Sequence, residues 1–192
     1  MEIPADLENE VIQLFSDMDR AYAQVAEQSG FECRGCDDNC CRTRFYHHTL
    51  IELLYLRSGL AALPPALQGR IKDQAHEVCR QMGALDRRGD LIRVMCPLND
   101  QGQCVLYAHR PMICRLHGIP HGLRRPDGRI LAGPGCDDFY TQCGNSDRVH
   151  LDRTPLYTVM ADLECRLRGQ LGVNRKIKMT VAEMVANEIP RC

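Results

Sequence analysis

The sequence has no tryptophan and few aromatic residues of any kind. Only 5% of its 192 residues are aromatic, so a core of ordinary size must be built with few large side chains. No run of about 18 apolar residues is present, which argues against a membrane-spanning helix. We therefore expect no membrane partner, and we expect the fold to need another source of stability, which a bound metal would supply.

Neither sign of charge is in excess. Lysine and arginine total 24, aspartate and glutamate total 25, and the formal net charge is −1. A nucleic-acid-binding protein would normally have a basic excess, so no nucleic-acid partner is expected. The first residues, "MEIPADLENEVIQ", are acidic and lack the basic segment and apolar core of a secretory signal. We therefore expect a cytoplasmic location.

Cysteine, in contrast, is abundant, with 12 in the chain. Disulfide bonds seldom persist in a reducing compartment. Clustered thiols in a cytosolic protein more often bind metal or take part in redox chemistry. The number of cysteines therefore indicates a metal-binding or redox function before any motif is considered.

Four of the cysteines lie within "FECRGCDDNCC", at positions 33, 36, 40 and 41. Cys33 and Cys36 have the C-x2-C spacing that directs two thiolates at one ion in zinc and iron–sulfur sites. In a helix all four could face one side, whereas in an extended strand Cys40 and Cys41 would point to opposite faces. Two adjacent cysteines can hardly chelate one ion tetrahedrally. They indicate two ions, or two irons of one cluster.

Later cysteines supply further candidate ligands. Three lie at predicted hairpins or turns, and one follows Gly-Pro-Gly, where the backbone can approach closely. Eight thiols suffice for two closed four-thiolate sites, or for one cluster with spare thiols. Cys143 and His117 are left open between ligand and other roles. The eight candidate metal ligands are Cys33, Cys36, Cys40, Cys41, Cys96, Cys104, Cys114 and Cys136.

These cysteine-containing segments resemble the YkgJ-type cysteine-cluster family. The resemblance is carried by "FECRGCDDNCC", by "CPLNDQGQCVLYAHRPMICRLHG" and by Gly135–Cys136, and it spans residues 31–136. It implies chelation of zinc, of iron, or of an iron–sulfur cluster. Three residues, Asp37 to Asn39, precede the double cysteine where the family usually has two. His117 stands where the family often has an aromatic residue.

The resemblance leaves the kind of function open. Some relatives are named iron–sulfur oxidoreductases, so one alternative is an oxidoreductase or group-transfer enzyme that uses the cluster. A further alternative is a zinc-stapled interaction module. No catalytic constellation is identifiable in the sequence. Arg110 and Arg115 are expected beside the cysteines as cofactor-binding residues, because buried thiolates carry a negative charge that guanidinium groups offset.

The remaining pattern predicts a mainly α fold with two small β-hairpins: a single irregular domain over residues 1–192 organised around a cysteine metal site. Hairpins are expected around Asn99–Gly102 and around Pro126–Gly128, each marked by turn residues between β-favourable runs. "GPGCDDFYTQCG" is interpreted as a loop, and His47 and His48 as surface residues with one ring packed inward. Apolar periodicity and capping residues predict helices over 4–29, 49–61, 65–85, 154–171 and 180–188.

Overall fold

The computed structural model describes residues 1–35, 39–144 and 150–187. About 56% of these residues are helical, which confirms the prediction of a mainly α fold. The described strands form a two-stranded and a three-stranded sheet. The helices are α1 (Ala5–Ser29), α2 (Leu50–Ala61), α3 (Pro65–Arg88), α4 (Met112–Leu116), α5 (Asp137–Cys143), α6 (Thr154–Leu171) and α7 (Val181–Ala186). The strands are β1 (Asn99–Asp100), β2 (Gln103–Cys104), β3 (His121–Arg124), β4 (Ile130–Gly133) and β5 (Leu151–Asp152).

The five predicted helices are confirmed, because their end signals are local. Helix α1 ends at Gly30, which adopts the left-handed conformation with φ 71°. Thr49 caps α2 by accepting a hydrogen bond from the Glu52 N–H at 3.1 Å. Thr180 and Glu183 form a complete capping box at the start of α7. Only α3 runs noticeably further than expected, to Arg88.

Both predicted hairpins are also confirmed. Strands β1 and β2 pair antiparallel through a two-residue turn, in which Gln101 and Gly102 have φ of 50° and 89°. Positive φ at both positions is the geometry that matches the twist of a tight hairpin. Strands β3 and β4 pair antiparallel across Pro126–Gly128.

The structure corrects two other parts of the prediction. The segment "GPGCDDFYTQCG" is not a loop, because Asp137–Cys143 form α5. Its two aspartates lie in the first turn, where carboxylates interact favourably with the helix dipole. In addition, β5 pairs parallel with β3 and extends the second hairpin to three strands.

The chain divides into two compact units. The first unit comprises Met1–Ile3, Cys41–Pro111 and Leu167–Cys192, and the second comprises Pro4–Cys40 and Met112–Arg166. A boundary between the two units therefore falls between the adjacent residues Cys40 and Cys41. The prediction of a single domain over residues 1–192 stays a prediction.

In the first unit the core is built around α2, which is buried on nearly all sides. Its leucines and Ile51 are almost wholly inaccessible, which explains why this helix has little amphipathic pattern. The Arg57 Nε donates to the Met184 carbonyl at 2.9 Å and so links α2 to α7. Helix α3 adds Ile71, Ala75 and Val78 to the same unit's buried residues.

In the second unit α1 presents one apolar stripe to the core. Leu7, Val11, Leu14, Phe15 and Met18 recur at helical spacing and are all buried. The other large buried side chains of this unit come from α4, α5, α6 and the loop after α4, and they include Leu116, Ile119, Phe139 and Leu163.

Two helical glycines of the first unit allow a matched test of this packing. A Cβ added to Gly59 in α2 would lie 2.4 Å from the His109 Cγ, whereas one added to Gly69 in α3 would meet nothing within 4 Å. We expect Gly59→Ala to destabilise the protein by about 1–3 kcal/mol through overpacking. Gly69→Ala should stabilise it by about 0.5–1 kcal/mol, because glycine is a poor helix former. Denaturant unfolding of both variants measures the difference, and equal effects would contradict the close packing of α2.

Candidate functional site

The backbone segments that carry three predicted ligands come together in the first unit. The Cys96 N–H donates to the Cys41 carbonyl at 2.7 Å, which joins the double cysteine to the segment before β1. The Asn99 N–H donates to the Cys96 carbonyl at 3.0 Å, and Asn99 lies opposite Cys104 in the β1–β2 ladder. Cys96 and Cys104 therefore lie at the base of one hairpin, on its two arms, with Cys41 attached beside them.

The thiols of this group affect one another electrostatically. Burial raises the pKa of the Cys96 thiol to about 12, and the charges of Cys41 and Cys104 act in the same direction. A hydrogen bond from the backbone of Leu98 partly offsets the rise in this pKa.

The second unit contains Cys33, Cys40, Cys114 and Cys136. The Cys136 N–H donates to the Gly118 carbonyl at 3.0 Å, and Cys136 is buried directly before α5. Gly118 has φ 102°, and a Cβ added there would lie 3.6 Å from the Cys136 Sγ. Cys114 lies in α4, which ends just before this contact. Gly135, directly before Cys136, permits the close approach of the two cysteine-bearing segments, because a Cβ added there would lie 2.9 Å from the Gly118 carbonyl oxygen.

The segment before Cys33 is attached to the same region of the second unit. The Phe31 and Phe139 ring centroids are 5.2 Å apart. The Glu32 N–H donates to the Gln142 Oε1 at 3.0 Å, and the Gln142 Nε2 donates back to the Glu32 carbonyl at 2.9 Å. These contacts bind the start of the cysteine cluster to α5, the helix that follows Cys136. Cys33 itself is exposed.

The described residues do not form a complete metal site. No three His, Cys, Asp or Glu side chains within residues 1–35, 39–144 and 150–187 are positioned to hold one ion. Cys36 lies outside the described residues. The described residues on either side of Cys36 are not helical. A helix that would place all four cysteines on one side is therefore not observed in the described part of this segment. Cysteine thiolates are suitable ligands for zinc and for iron. A closed site with four of these thiolates stays a prediction.

The two predicted cofactor-binding arginines make contacts of different kinds. The Arg110 guanidinium lies 3.5 Å from the Tyr107 ring centroid, and its Nε donates to the Tyr107 carbonyl at 3.0 Å. Arg115 is buried, is ion-paired with Asp19, and lies 4.8 Å from the Phe15 ring centroid. These contacts tie both arginines to their own units. Their expected role beside thiolates stays a prediction.

Sequence reasoning missed a buried arginine in the second unit. Arg153 is only 3% exposed, donates to the Leu116 carbonyl, and has an Nε with no hydrogen-bond partner among the described residues. Burial lowers the pKa of its guanidinium, and a hydrogen bond with Tyr157 partly offsets this. No local pattern marks this residue, because its burial depends on the junction of β5 and α6.

In the first unit His47 is the inward-packed ring that was expected of the histidine pair. It is 1% exposed, and its Nδ1 lies 3.3 Å from the Glu52 Oε1. The Thr49 hydroxyl donates to the other Glu52 oxygen at 2.7 Å. The capping-box spacing of Thr49 and Glu52 was the available signal, although it did not indicate that Glu52 would be buried.

No protein-family model, no curated protein and no solved structure matches the chain. The resemblance to the YkgJ-type cysteine-cluster family therefore stays a prediction. Among the described residues, no helix is both long enough and apolar enough to span a membrane.

The environments of the cysteines predict an order of alkylation in the folded protein, before any chelator treatment. Cys165 is exposed, whereas burial raises the pKa of the Cys96 thiol to about 12, and a metal bound to Cys96 would also shield its sulfur. Since the thiolate is the nucleophile, iodoacetamide should modify Cys165 well before Cys96. Mass spectrometry of digests sampled over time measures both rates. Denaturant should abolish the difference, and equal rates in the folded protein would contradict the partial burial of Cys96.

Proposed function

We propose that the protein binds zinc or an iron–sulfur cluster through its clustered cysteines. The eight candidate ligands named above would supply thiolates, which suit both zinc and iron. The observation that supports the proposal is the contact between the segment of Cys41 and the hairpin of Cys96 and Cys104 in the first unit. These two segments are distant in sequence, and a backbone hydrogen bond from Cys96 to Cys41 holds them together.

The arrangement of this group favours a ligand role over packing. Cysteines that only fill a core need no shared backbone framework. Cys96 and Cys104 instead flank a tight hairpin whose turn residues have positive φ, and Cys41 is attached to the same framework. Short hairpins with a cysteine on each arm hold thiolates on a rigid backbone, as structural metal sites require.

The second unit supports the proposal in a weaker way. Its cysteines lie on segments that meet around Gly118 and α5. The boundary between the units falls between Cys40 and Cys41. The cytoplasmic location and the absence of a nucleic-acid partner remain predictions alongside it.

Metal content and colour test the proposal directly. Protein purified without oxygen should contain stoichiometric zinc and be colourless, or contain iron with acid-labile sulfide and be brown. Cys96→Ser should lower the metal content by at least roughly half, because a structural site loses a ligand. The matched control is Cys165→Ser, which removes an exposed thiol from the surface of α6. Protein without bound metal, or equal metal content in both variants, would refute the proposal.

Removal of the metal should also affect folding. A structural site contributes its binding free energy to folding, so chelator-treated protein should lose helical signal and its cooperative unfolding transition. Far-ultraviolet circular dichroism during thermal unfolding measures both. Readdition of the metal should restore the transition. Metal-free protein that unfolds as cooperatively as the loaded form would contradict a structural role for the metal.

A further inference from the structure

Strand β4 lies at an open edge of the three-stranded sheet in the second unit. Among the described residues no strand pairs with its outer side. The Arg125 N–H donates to the Arg129 carbonyl at 2.8 Å. The alternation of an antiparallel ladder then turns the N–H and C=O groups of Ile130 and Ala132 away from β3. Outward backbone groups of this kind can accept another strand.

The side chains of this edge are unusually apolar for an exposed strand. Ile130 is 60% exposed and Leu131 is 50% exposed. Because they are consecutive on a strand, they point to opposite faces of the sheet. They therefore do not form one apolar surface that could insert into lipid. They can instead each pack beside a side chain of an added strand.

The hairpin tip next to this edge carries more positive than negative charge. Arg125 and Arg129 share Asp127, with Nε–Oδ2 distances of 3.9 and 3.2 Å. The Arg129 side chain is 78% exposed, and exposed ion pairs contribute little to stability. A ligand carboxylate could therefore compete with Asp127 for Arg129. Arg129 lies two residues before Leu131, so both belong to the same face of the strand.

We propose that β4 binds a short extended peptide that places an apolar side chain beside Leu131 and an acidic side chain beside Arg129. Main-chain hydrogen bonds to Ile130 and Ala132 would give affinity, and the side chains would give specificity. The edge is only four residues long, so the contact area is smaller than a stable dimer needs. This favours a linear peptide over a second copy of the chain. The proposal is independent of metal binding.

A symmetric probe peptide tests this proposal. The labelled peptide Glu-Glu-Val-Val-Glu-Glu presents a valine flanked by glutamates on each face, whichever direction it binds. In fluorescence anisotropy titrations its affinity should fall as salt is added, because part of it is electrostatic. Lys-Lys-Val-Val-Lys-Lys should bind at least about ten-fold more weakly. In NMR spectra the amide signals of Ile130 and Ala132 should shift on binding.

Three variants assign the binding to this edge. Ala132→Pro removes an outward N–H at a position where edge strands tolerate proline, and should weaken binding by about ten-fold or more. Arg129→Glu should weaken binding of the acidic peptide to a similar degree and favour the lysine peptide, and it serves if the proline variant does not fold. Arg20→Glu makes the same charge change at a side chain of α1 that is 68% exposed, and should leave binding unchanged.

Several outcomes would overturn the proposal. Equal affinity for the two peptides would contradict a role for the charge of Arg129. Equal losses of affinity in Arg129→Glu and Arg20→Glu would contradict it as well. A concentration-dependent dimer that Ala132→Pro abolishes would assign the edge to a second copy of the chain. Binding to phosphatidylserine–phosphatidylcholine vesicles, with no binding of the acidic peptide, would assign the hairpin to a lipid surface.

Discussion

The hydrogen bond from the Cys96 N–H to the Cys41 carbonyl joins two segments of the first unit that are far apart in sequence. The described cysteines form no disulfide bond with one another, so their segments must be held by other forces. Backbone hydrogen bonds do this in both units, since Cys136 is bound to Gly118 in the same way. A backbone hydrogen bond positions the cysteine main chain without involving its sulfur. In a disulfide, by contrast, the sulfur is already bonded to another sulfur.

Most of the helical structure could be predicted because its signals lie within a few residues. Thr49 with Glu52, Thr180 with Glu183, and Gly30 each act on the helix beside them. The turn at Gln101–Gly102 acts equally locally. Such features depend on backbone geometry and hydrogen bonding between near neighbours, so reading them from sequence requires no knowledge of the fold.

The missed elements depend on distant contacts or have too little pattern. Helix α5 lies between glycines that suggested a loop, and its distant contacts include that of the Phe139 ring with the Phe31 ring. Strand β5 is two residues long, too short for any periodicity, and exists because β3 offers an edge. In the candidate site, sequence named the cysteines but not their partition between units. That partition is a property of the contacts and not of the spacing.

The partners of buried polar side chains also depend on contacts that are distant or not marked by a local pattern. His47 with Glu52 and Arg115 with Asp19 are pairs in which at least one partner is almost wholly buried. Removing a charged side chain from water is costly unless it is paired, so the buried Arg115 depends on Asp19, which is itself 43% exposed. The cost of burying the Arg153 charge is instead offset by the Leu116 carbonyl and the Tyr157 hydroxyl. None of these partners could be assigned from the sequence alone.

The length of the two-residue turn between β1 and β2 determines which effect an inserted residue would have on this hairpin. The β1–β2 ladder contains only two residue pairs, and the Val105 N–H extends the pairing by donating to the Leu98 carbonyl at 2.9 Å. With so short a ladder, the turn length largely decides that Cys104 lies opposite Asn99. Because side chains alternate along a strand, one inserted residue would move the Cys104 sulfur to the other face. An insertion there would thus alter the thiol group while every cysteine was retained.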